Sequence, residues 1–250
     1  MNIYLKIFLL LLVFMFSNVT SRAQMNLMVG PAIGFTIPAA DYGGNAPAFY
    51  KTGQYGLSPG FHFGAESRLG LGKIAVRLAS SYAMLSANGL SDEEHNDSFV
   101  AVNQRLLNVS LGVQYGFVSI KSVFGPYAGV DLLYSSITSS ADFLNTATLT
   151  NPTQTITMNA ATRFGLGLAL GADFRINKTT LDLSLRYNMI NMFGKKYEAP
   201  ATGTRDDVYR YLNDAADPNY NAADPNHPVA ANRNIATVQV QIGVLFGFKL

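Results

Sequence analysis

The chain of 250 residues has no cysteine and no tryptophan, only three histidines, and only 14% charged residues, although 48% of it is hydrophobic. The absence of cysteine excludes a disulfide scaffold and thiol chemistry, and together with so few histidines it argues against a structural zinc site. The charged fraction is well below the ~25% that is usual in soluble domains. After the first 20 residues no apolar run reaches ~18 residues, so no transmembrane helix is expected.

The first 23 residues have the pattern of a cleaved secretory signal peptide. Lys6 gives a short basic region, residues 7–16 are apolar, and Ser21-Arg22-Ala23 fits the small-x-small cleavage rule. An uncleaved anchor is the alternative, but the apolar run is short and no stop-transfer flank follows it. Cleavage after Ala23 would remove two of the 18 basic residues and no acid, which leaves 16 of each sign. We therefore expect residues 24–250 to form one exported domain without a nucleic-acid partner.

Eight segments of the remaining chain alternate between apolar residues and small or polar ones. In RFGLGLALGADFRI, for example, Leu and Phe share one parity, while Gly, Ala and the charges share the other. Such alternation places the two sets on opposite faces of a β-strand. Each segment is near or above the ~9–11 residues that cross a bilayer at a tilt. The predicted strands are Met25–Ile37, Leu57–Leu69, Ile74–Met84, Leu107–Phe117, Phe124–Tyr134, Arg163–Ile176, Leu181–Met189 and Val238–Leu250.

The connections between these strands alternate in length. The tight ones are Gly70–Lys73, Ser119–Ser122 and Asn177–Lys178. The long ones, of about 18 to 42 residues, are Pro38–Tyr55, Ser86–Asn103, Ser135–Met158 and Phe193–Asn234. This pattern predicts an all-β, eight-stranded antiparallel up-and-down transmembrane β-barrel with short periplasmic turns and long extracellular loops, closed because bare strand edges cannot exist in lipid. A soluble barrel or sandwich is the rival fold, but it would leave the glycine-rich face in water.

If the apolar face contacts lipid, the glycine-rich face points into a lumen that side chains fill, and charges there must pair. The Asn177–Lys178 turn predicts Asp173 opposite Asp182, with Arg186 or Arg175 as the shared cation. The first tight turn predicts Glu66 opposite Arg77. We interpret the lumen as a closed ion-pair network, with a charged constriction of a narrow solute pore as the alternative. The inward charged set is Glu66, Arg68, Arg77, Asp131, Arg163, Asp173, Arg175, Asp182 and Arg186.

Aromatic residues indicate both the membrane boundary and a possible recognition loop. Four tyrosines have the lipid-facing parity of interfacial anchors: Tyr82, Tyr115, Tyr134 and Tyr187. In the last loop, Asp206–Asp214 predicts one or two helical turns over the barrel mouth, and two Asp-Pro-Asn repeats predict a folded cap. Candidate recognition residues there are Tyr209, Tyr211 and Tyr220.

The sequence indicates no catalytic constellation. A lipid-modifying barrel enzyme would need a nucleophile beside a histidine at the outer rim, but His62 has the inward parity, and His95 and His227 lie in loops without a positioned partner. The acidic segment Asp92–Asp97 could bind Ca²⁺ or be a solvated loop. We expect no enzymatic activity, no cofactor and no metal. A basic rim for lipopolysaccharide phosphates could include Arg105, Lys195, Lys196, Arg205 and Arg210.

The chain resembles the outer-membrane β-barrel domain family of Bacteroidota, which includes PorT-like proteins. The resemblance is carried by SRAQ at the cleavage region, GPAIGF at Gly30, GPYAGVDLLY at Gly125, GLALGADFRI at Gly167, LSLRYNMINMF at Leu183 and the terminal VQIGVLFGFKL. It implies location in the bacterial outer membrane, contact with outer-membrane lipid and lipopolysaccharide, and folding by the barrel-insertion machinery. The expected function is a non-enzymatic membrane scaffold that presents loops to an envelope or extracellular protein. A narrow pore or a PorT-like accessory of protein secretion is the alternative.

Overall fold

The computed structural model describes residues 25–91, 97–118, 122–198, 204–224 and 227–249. They form a closed antiparallel barrel in which each strand pairs with its sequence neighbours and β8 pairs with β1, so the predicted fold is confirmed. The predicted signal peptide and Leu250 lie outside the described residues. The strands are β1 (Met25–Ala40), β2 (Gly60–Leu71), β3 (Ile74–Leu90), β4 (Phe99–Gly116), β5 (Phe124–Leu144), β6 (Gln154–Ile176), β7 (Thr179–Phe193) and β8 (Ile235–Lys249).

Two short helices, α1 (Ala46–Tyr50) and α2 (Arg205–Arg210), lie in the first and last long loops. Asn45 caps α1, because its side-chain oxygen accepts a hydrogen bond from the Ala48 amide at 2.9 Å. The helix α2 overlaps the Asp206–Asp214 region where the sequence predicts helical turns. No helix in the described ranges is long and apolar enough to span a membrane.

The two-residue turns set the register at the end predicted to be periplasmic. Asn177 has a φ of 57°, and the turn that it forms with Lys178 places Asp173 opposite Asp182, as the sequence indicates. The β2–β3 turn is shorter than the sequence suggests, because Leu71 already pairs with Ile74. The predicted pairing of Glu66 with Arg77 is therefore wrong: Glu66 lies opposite Ala79, two positions along. Gly72 supplies the positive φ of 72° that this tighter turn requires.

Strands β3 to β6 extend well beyond their predicted outer ends. The segments Ser86–Asn103 and Ser135–Met158, predicted as loops, are largely strand, and the connections shrink to residues 91–98 and 145–153. The alternation continues in these extensions with its polarity reversed. Leu85 and Leu106 point inward, whereas Ser86 and Asn103 are not buried. The barrel thus has a tall wall on one side, β3–β6, whose outer surface above the apolar band is mostly polar, with Leu90, Phe99 and Leu144 exposed at its top.

The register of β6 shifts once against β5 and once against β7. Between the pairs Ile137–Ala161 and Ser139–Met158 the register shifts by one residue, and Asn159 and Ala160 are both exposed there. A second shift lies between Phe164 and Leu166, where β7 carries extra residues. Two consecutive β7 residues, Ile190 and Asn191, are consequently buried. Such bulges re-aim side chains, and this one directs Asn191 inward.

Below the tall wall, the outer surface is a belt of exposed apolar side chains such as Ile33 (65% exposed) and Leu170 (59%). Tyr115, Tyr134 and Tyr187 are exposed in this belt, whereas Tyr82 is half-buried beside Phe63, with ring centroids 5.5 Å apart. The lipid-facing parity predicted for the strands is therefore the exposed parity of the barrel.

Candidate functional site

A group of buried ion pairs, the lumen cluster, occupies the barrel interior at the height of the apolar belt. Arg68, fully buried, is its centre, and its guanidinium lies 2.8 Å from Asp173 and 2.8 Å from Asp182 and also pairs with Glu66. Arg68 is thus the cation shared by the two facing aspartates, and the predicted Arg186 is wrong in that role. The lumen cluster consists of Glu66, Arg68, Arg77, Asp131, Asp173, Asp182 and Arg186.

The other two arginines of the lumen cluster form further ion pairs with its acids. Arg77 pairs with Asp131 and lies 3.7 Å from Glu66, so that Arg77 and Glu66 meet diagonally although they are not opposite in the sheet. Arg186 pairs with the second oxygen of Glu66. Because every side chain in the cluster is buried, removal of one partner would leave a charge without water or counter-ion.

Tyr127 adds a polar contact to the cluster. Its hydroxyl donates to Asp182 at 2.5 Å and accepts from Arg68 at 3.3 Å, and the Arg68 guanidinium lies 4.9 Å from the ring centroid. A Cβ at Gly171, opposite Tyr127 in the sheet, would collide with that hydroxyl. This inward glycine therefore provides the space that a large inward side chain needs.

Of the two remaining predicted arginines, Arg175 contacts the lumen cluster as the sequence predicts, whereas Arg163 does not. Arg175 lies at its periplasmic edge with a side chain 24% exposed, 3.3 Å from Asp173, and donates to the Ser122 carbonyl at 3.1 Å. Arg163 lies near the outer end and pairs with Asp214 of the last loop. Arg163 and Arg175 lie near opposite ends of β6. At the outer end, the last loop supplies Asp214 as the partner of Arg163.

Above the lumen cluster, the interior becomes first neutral and then apolar. A polar layer that includes Asn108, Asn188 and Gln239 surrounds a cavity of about 10 Å³, which has room for about one water molecule. Higher still, inward apolar side chains of the tall wall and loop residues form what we call the upper core. Its strand members include Leu85, Val100, Val102, Leu106, Ile137, Phe143, Ile156, Met158, Ile190 and Ile235.

The sequence does not reveal the upper core directly, because its residues lie in segments interpreted as loops. Leu85 and Leu106 have the inward parity of their strands, and this signal could have revealed them. At this height the inward side chains are apolar and the outward ones, such as Ser86 and Arg105, are mostly polar, which is the reverse of the pattern in the membrane belt.

The long loops fold over the upper core as a cap, defined as residues 41–59, 145–153, 194–198, 204–224 and 227–234. Asp214, fully buried, accepts two hydrogen bonds from the Arg163 guanidinium at 2.8 and 2.7 Å, one from Asn191 at 2.8 Å and one from the Lys196 amide at 2.9 Å. Burial by itself raises the pKa of the Asp214 carboxyl, but these hydrogen bonds and the Arg163 charge hold the pKa below its ordinary value. Asp214 thus anchors the last loop to β6 and β7.

Arg233 joins the first and last loops of the cap. Its guanidinium donates to the carbonyls of Leu212 at 2.8 Å, Asn213 at 2.6 Å and Thr52 at 3.3 Å. It also lies 4.2 Å from the centroid of the Tyr55 ring, in cation–π geometry. One buried arginine therefore satisfies backbone carbonyls from two segments that are far apart in sequence.

The helix α2 packs against α1 and the third long loop. Arg205 lies 4.5 Å from the Tyr50 ring centroid, and the Arg205 guanidinium and the Tyr209 hydroxyl both donate to the Tyr50 carbonyl, at 2.7 and 2.8 Å. Asp206 accepts from the Thr150 amide and from the side-chain amide of Gln154, each at 3.0 Å. The three loops therefore form one connected structure.

The candidate recognition tyrosines separate into buried and exposed members. Tyr209 is 7% exposed and packs on Phe143 with ring centroids 5.0 Å apart, so its predicted role in recognition is wrong. Burial raises the pKa of Tyr209 to about 12, although the Arg205 charge and hydrogen bond oppose the rise. Tyr211 is half-buried, and Tyr220 is 46% exposed in the Asp-Pro-Asn segment.

The predicted basic rim is dispersed. Arg205 is engaged with Tyr50, Arg210 lies 3.3 Å from Asp207, and Lys195 donates to Asn234 at 2.6 Å. Arg105 points outward from the tall wall, where it pairs in register with Thr138. Three of the five predicted rim residues thus have partners within the cap, and Lys196 is exposed.

Two histidines lie in the described chain. Nδ1 of His62 is 3.0 Å from the Thr36 hydroxyl, but both residues are buried inside the barrel. Nδ1 of His227 is 2.7 Å from Asp217 and joins the two Asp-Pro-Asn repeats. His95 and residues 92–96 of the acidic segment lie outside the described residues. Within the described ranges, no group of three or more His, Asp or Glu side chains is suited to a metal ion.

Comparison with known proteins identifies the family. The sequence model of the family described as "Outer membrane protein beta-barrel domain" matches residues 7–215, which is most of the chain. Similar solved structures include Neisserial surface protein A (16% identity, covering 90% of this chain and 97% of that one, TM-score 0.44) and OprG from Pseudomonas aeruginosa (11%, 91% and 98%, 0.49). Another is a major outer membrane protein of Thermus thermophilus (14%, 90% and 99%, 0.48). A comparison with curated proteins found no match. The chain therefore belongs to the outer membrane protein β-barrel domain family and is a protein of the bacterial outer membrane.

Proposed function

We propose that this protein is a non-enzymatic scaffold that passes no solute and presents a rigid extracellular cap to a partner. The proposal rests mainly on three layers that follow one another along the barrel axis: the lumen cluster, the upper core and the cap. A cavity of about 10 Å³ lies between the lumen cluster and the upper core. A hydrated ion crossing the barrel would have to displace buried ion pairs and then an apolar core, and both steps are energetically costly.

The conductance of the purified protein in planar lipid bilayers tests the proposal. We expect no channel activity from the wild type. The double variant Arg77→Ala with Arg186→Ala removes two lumen arginines but leaves the upper core and cap in place, so it should stay silent as well. A stable, ion-selective wild-type conductance would refute the scaffold and favour the narrow pore.

The proposed partner surface is the exposed Asp-Pro-Asn segment that carries Tyr220. Asx interactions hold its backbone: the Asp217 side chain accepts from the Asn219 amide at 2.8 Å, and the Asn221 side chain accepts from the Ala223 amide at 3.0 Å. An exposed tyrosine on a loop whose backbone is fixed by hydrogen bonds provides contact area for a partner with little loss of conformational entropy on binding. Site-specific photo-crosslinking from position 220 in cells should give a discrete adduct. A matched probe at Thr157, on the outer face of the tall wall, should not give that adduct.

The finer alternatives lead to different experiments. The resemblance to PorT-like proteins supports an accessory role in protein secretion, for which deletion of the gene should reduce the set of secreted proteins. A role as a lipid-modifying enzyme is disfavoured because the hydroxyl that contacts His62, that of Thr36, is buried with it where no lipid can reach. Incubation with labelled lipopolysaccharide should accordingly give no deacylated product.

Membrane lipid and the barrel-insertion machinery are further proposed partners. The apolar belt provides the lipid contact, and Phe248 near the end of β8 is exposed on the lipid-facing parity. An outward aromatic near the last strand's end fits a terminal insertion signal. Substitution Phe248→Ser should slow assembly in cells without changing the thermal stability of the folded barrel.

A further inference from the structure

We infer that the periplasmic end of the barrel contains a binding site for a small amphipathic organic anion. This site, which we call the vestibule, is a cavity of about 830 Å³ that is lined by the β2–β3 and β6–β7 turns and has Tyr127 and Asp173 as its floor. The volume falls within the ~300–1,000 Å³ of typical small-molecule pockets. The inference goes beyond the scaffold role and does not depend on it, because a ligand can enter from the periplasm without crossing the barrel.

The charge of the vestibule selects an anion. Three cationic residues line it, namely Lys73, Lys178 and Arg175. One carboxylate also lines it, that of Asp173, and this group already contacts Arg68 at 2.8 Å and Arg175 at 3.3 Å. The excess positive charge is set against low-dielectric walls, which focuses the field on the cavity.

The Arg175 guanidinium is the group best placed to meet a carboxylate. Its side chain is 24% exposed, and its contacts with Asp173 and the Ser122 carbonyl hold it at the boundary between the lumen cluster and the cavity. A planar guanidinium fixed in this way suits bidentate recognition of a carboxylate. The two lysines lie in the exposed β2–β3 and β6–β7 turns and would contribute a weaker attraction at the rim.

The walls add an apolar surface and one polar group that needs a donor. Met28, Val118 and Val123 line the cavity. Gln114 also lines it, is only 6% exposed, and its side-chain oxygen has no hydrogen-bond partner among the described residues. A buried acceptor left without a partner is costly, so rotation of the Gln114 amide toward the cavity would let a ligand that carries a hydroxyl or N–H donor satisfy it. The ligand class is therefore an organic carboxylate with an apolar body and a hydrogen-bond donor.

The test uses 4-hydroxyphenylacetate as the probe and the full barrel in zwitterionic phospholipid nanodiscs. Methyl NMR reports on two methionines: Met28 in the vestibule and Met84, which is 49% exposed on the lipid-facing side. We expect a saturable shift of the Met28 methyl and none of the Met84 methyl. The neutral analogue 4-hydroxyphenylacetamide should bind about tenfold more weakly or worse, because it lacks the charge-assisted hydrogen bond.

Variants locate the site. Arg175→Gln should weaken binding of the carboxylate by about tenfold, whereas Lys178→Gln, which changes an exposed side chain and keeps Asn177 at the positive-φ position of the turn, should weaken it about two- to fivefold. Lys195→Gln at the opposite end of the barrel is the matched control and should leave binding unchanged. Equal affinities for acid and amide would overturn the anion assignment. Equal shifts of both methionines, or no saturation up to about 20 mM probe, would overturn the site itself.

Discussion

The Asp214–Arg163 anchor gives the sharpest test of the cap. Both side chains are almost fully buried, at 0% and 5% exposed, and are joined by two hydrogen bonds. Asp214→Ala leaves the Arg163 charge buried without its carboxylate, a change that typically costs about 3–5 kcal/mol. If the cost falls on the closed cap alone, the population of cap-open molecules rises roughly 150- to 5,000-fold.

Limited trypsin digestion of the folded barrel in detergent measures this population. The Lys196 side chain is exposed, but its backbone amide donates to Asp214 and its carbonyl accepts from the Ala215 amide, so we expect cleavage there to require opening of the segment. When opening and closing are fast relative to cleavage, the initial cleavage rate follows the open population. Asp142→Ala is the matched control: Asp142 is exposed on β5 and accepts one hydrogen bond from Thr155 at 2.6 Å. It should change the rate less than about threefold.

A double-mutant cycle separates the pair from other effects of the substitution. If Asp214 acts mainly through Arg163, the double variant Asp214→Ala with Arg163→Ala should open the cap no more than the single Asp214 variant. A cleavage rate for Asp214→Ala within about threefold of wild type would refute the anchor. It would mean that the cap is held by Arg233 and the aromatic packing instead.

Three further predictions concern the cluster, the membrane boundary and pH. Arg68→Met should lower the free energy of unfolding by about 3–5 kcal/mol or prevent folding, measured by urea titration, while the exposed Arg105→Met should change it by less than about 0.5 kcal/mol. Leu170→Arg in the apolar belt should cost about 2–4 kcal/mol in the same assay, while Thr157→Arg, above the belt, should cost about 0–1 kcal/mol. Because the pKa of Asp214 is lowered in the folded state, its contribution to cap stability should be complete above the unfolded pKa of about 3.9 and be lost as the pH falls through the lower folded value. Hydrogen exchange of cap amides, corrected for intrinsic rates, should show that loss in the wild type and not in Asp214→Ala.

The number of strands, their order and their lipid-facing parity could be predicted because each depends on local alternation. The register of a hairpin is harder to predict from sequence, because it depends on which residues form the turn. The extra turn residues assumed around Gly72 displaced the expected partner of Glu66 by two positions. Even so, Glu66 and Arg77 meet diagonally at 3.7 Å, because long side chains in a narrow barrel can reach past their direct neighbours.

The identity of the partners in the lumen could not be predicted from adjacent strands. Arg68 on β2 contacts Asp173 on β6 and Asp182 on β7, which lie across the barrel and not beside it. Only the closed three-dimensional structure determines such contacts. The same holds for Arg163, whose partner Asp214 belongs to a loop that returns to the barrel through 51 positions of sequence.

The reversal of polarity along β3–β6 explains why the tall wall resembles loops in the sequence. Inside the bilayer the outward side chains must be apolar and the inward ones can be polar, as at Leu107 and Asn108. Above the bilayer water contacts the outer surface, and the inward Leu106 is apolar while the outward Arg105 is polar. The alternation of inward and outward side chains continues without interruption through residues 105–108. The same strand therefore has apolar side chains outside in the bilayer and apolar side chains inside above it.

This reversal divides the barrel into two parts with different sources of stability. The lower part depends on lipid outside and on ion pairs inside. The upper part consists of the tall wall and the cap, which enclose the upper core and are held together by Asp214 and Arg233. Damage to the cap should therefore loosen the extracellular surface without unfolding the membrane-embedded half, and the vestibule beneath the lumen cluster should still bind its ligand. We therefore expect the proposed recognition surface and the proposed periplasmic pocket to be independent, since the buried salt bridges of the lumen cluster lie between them.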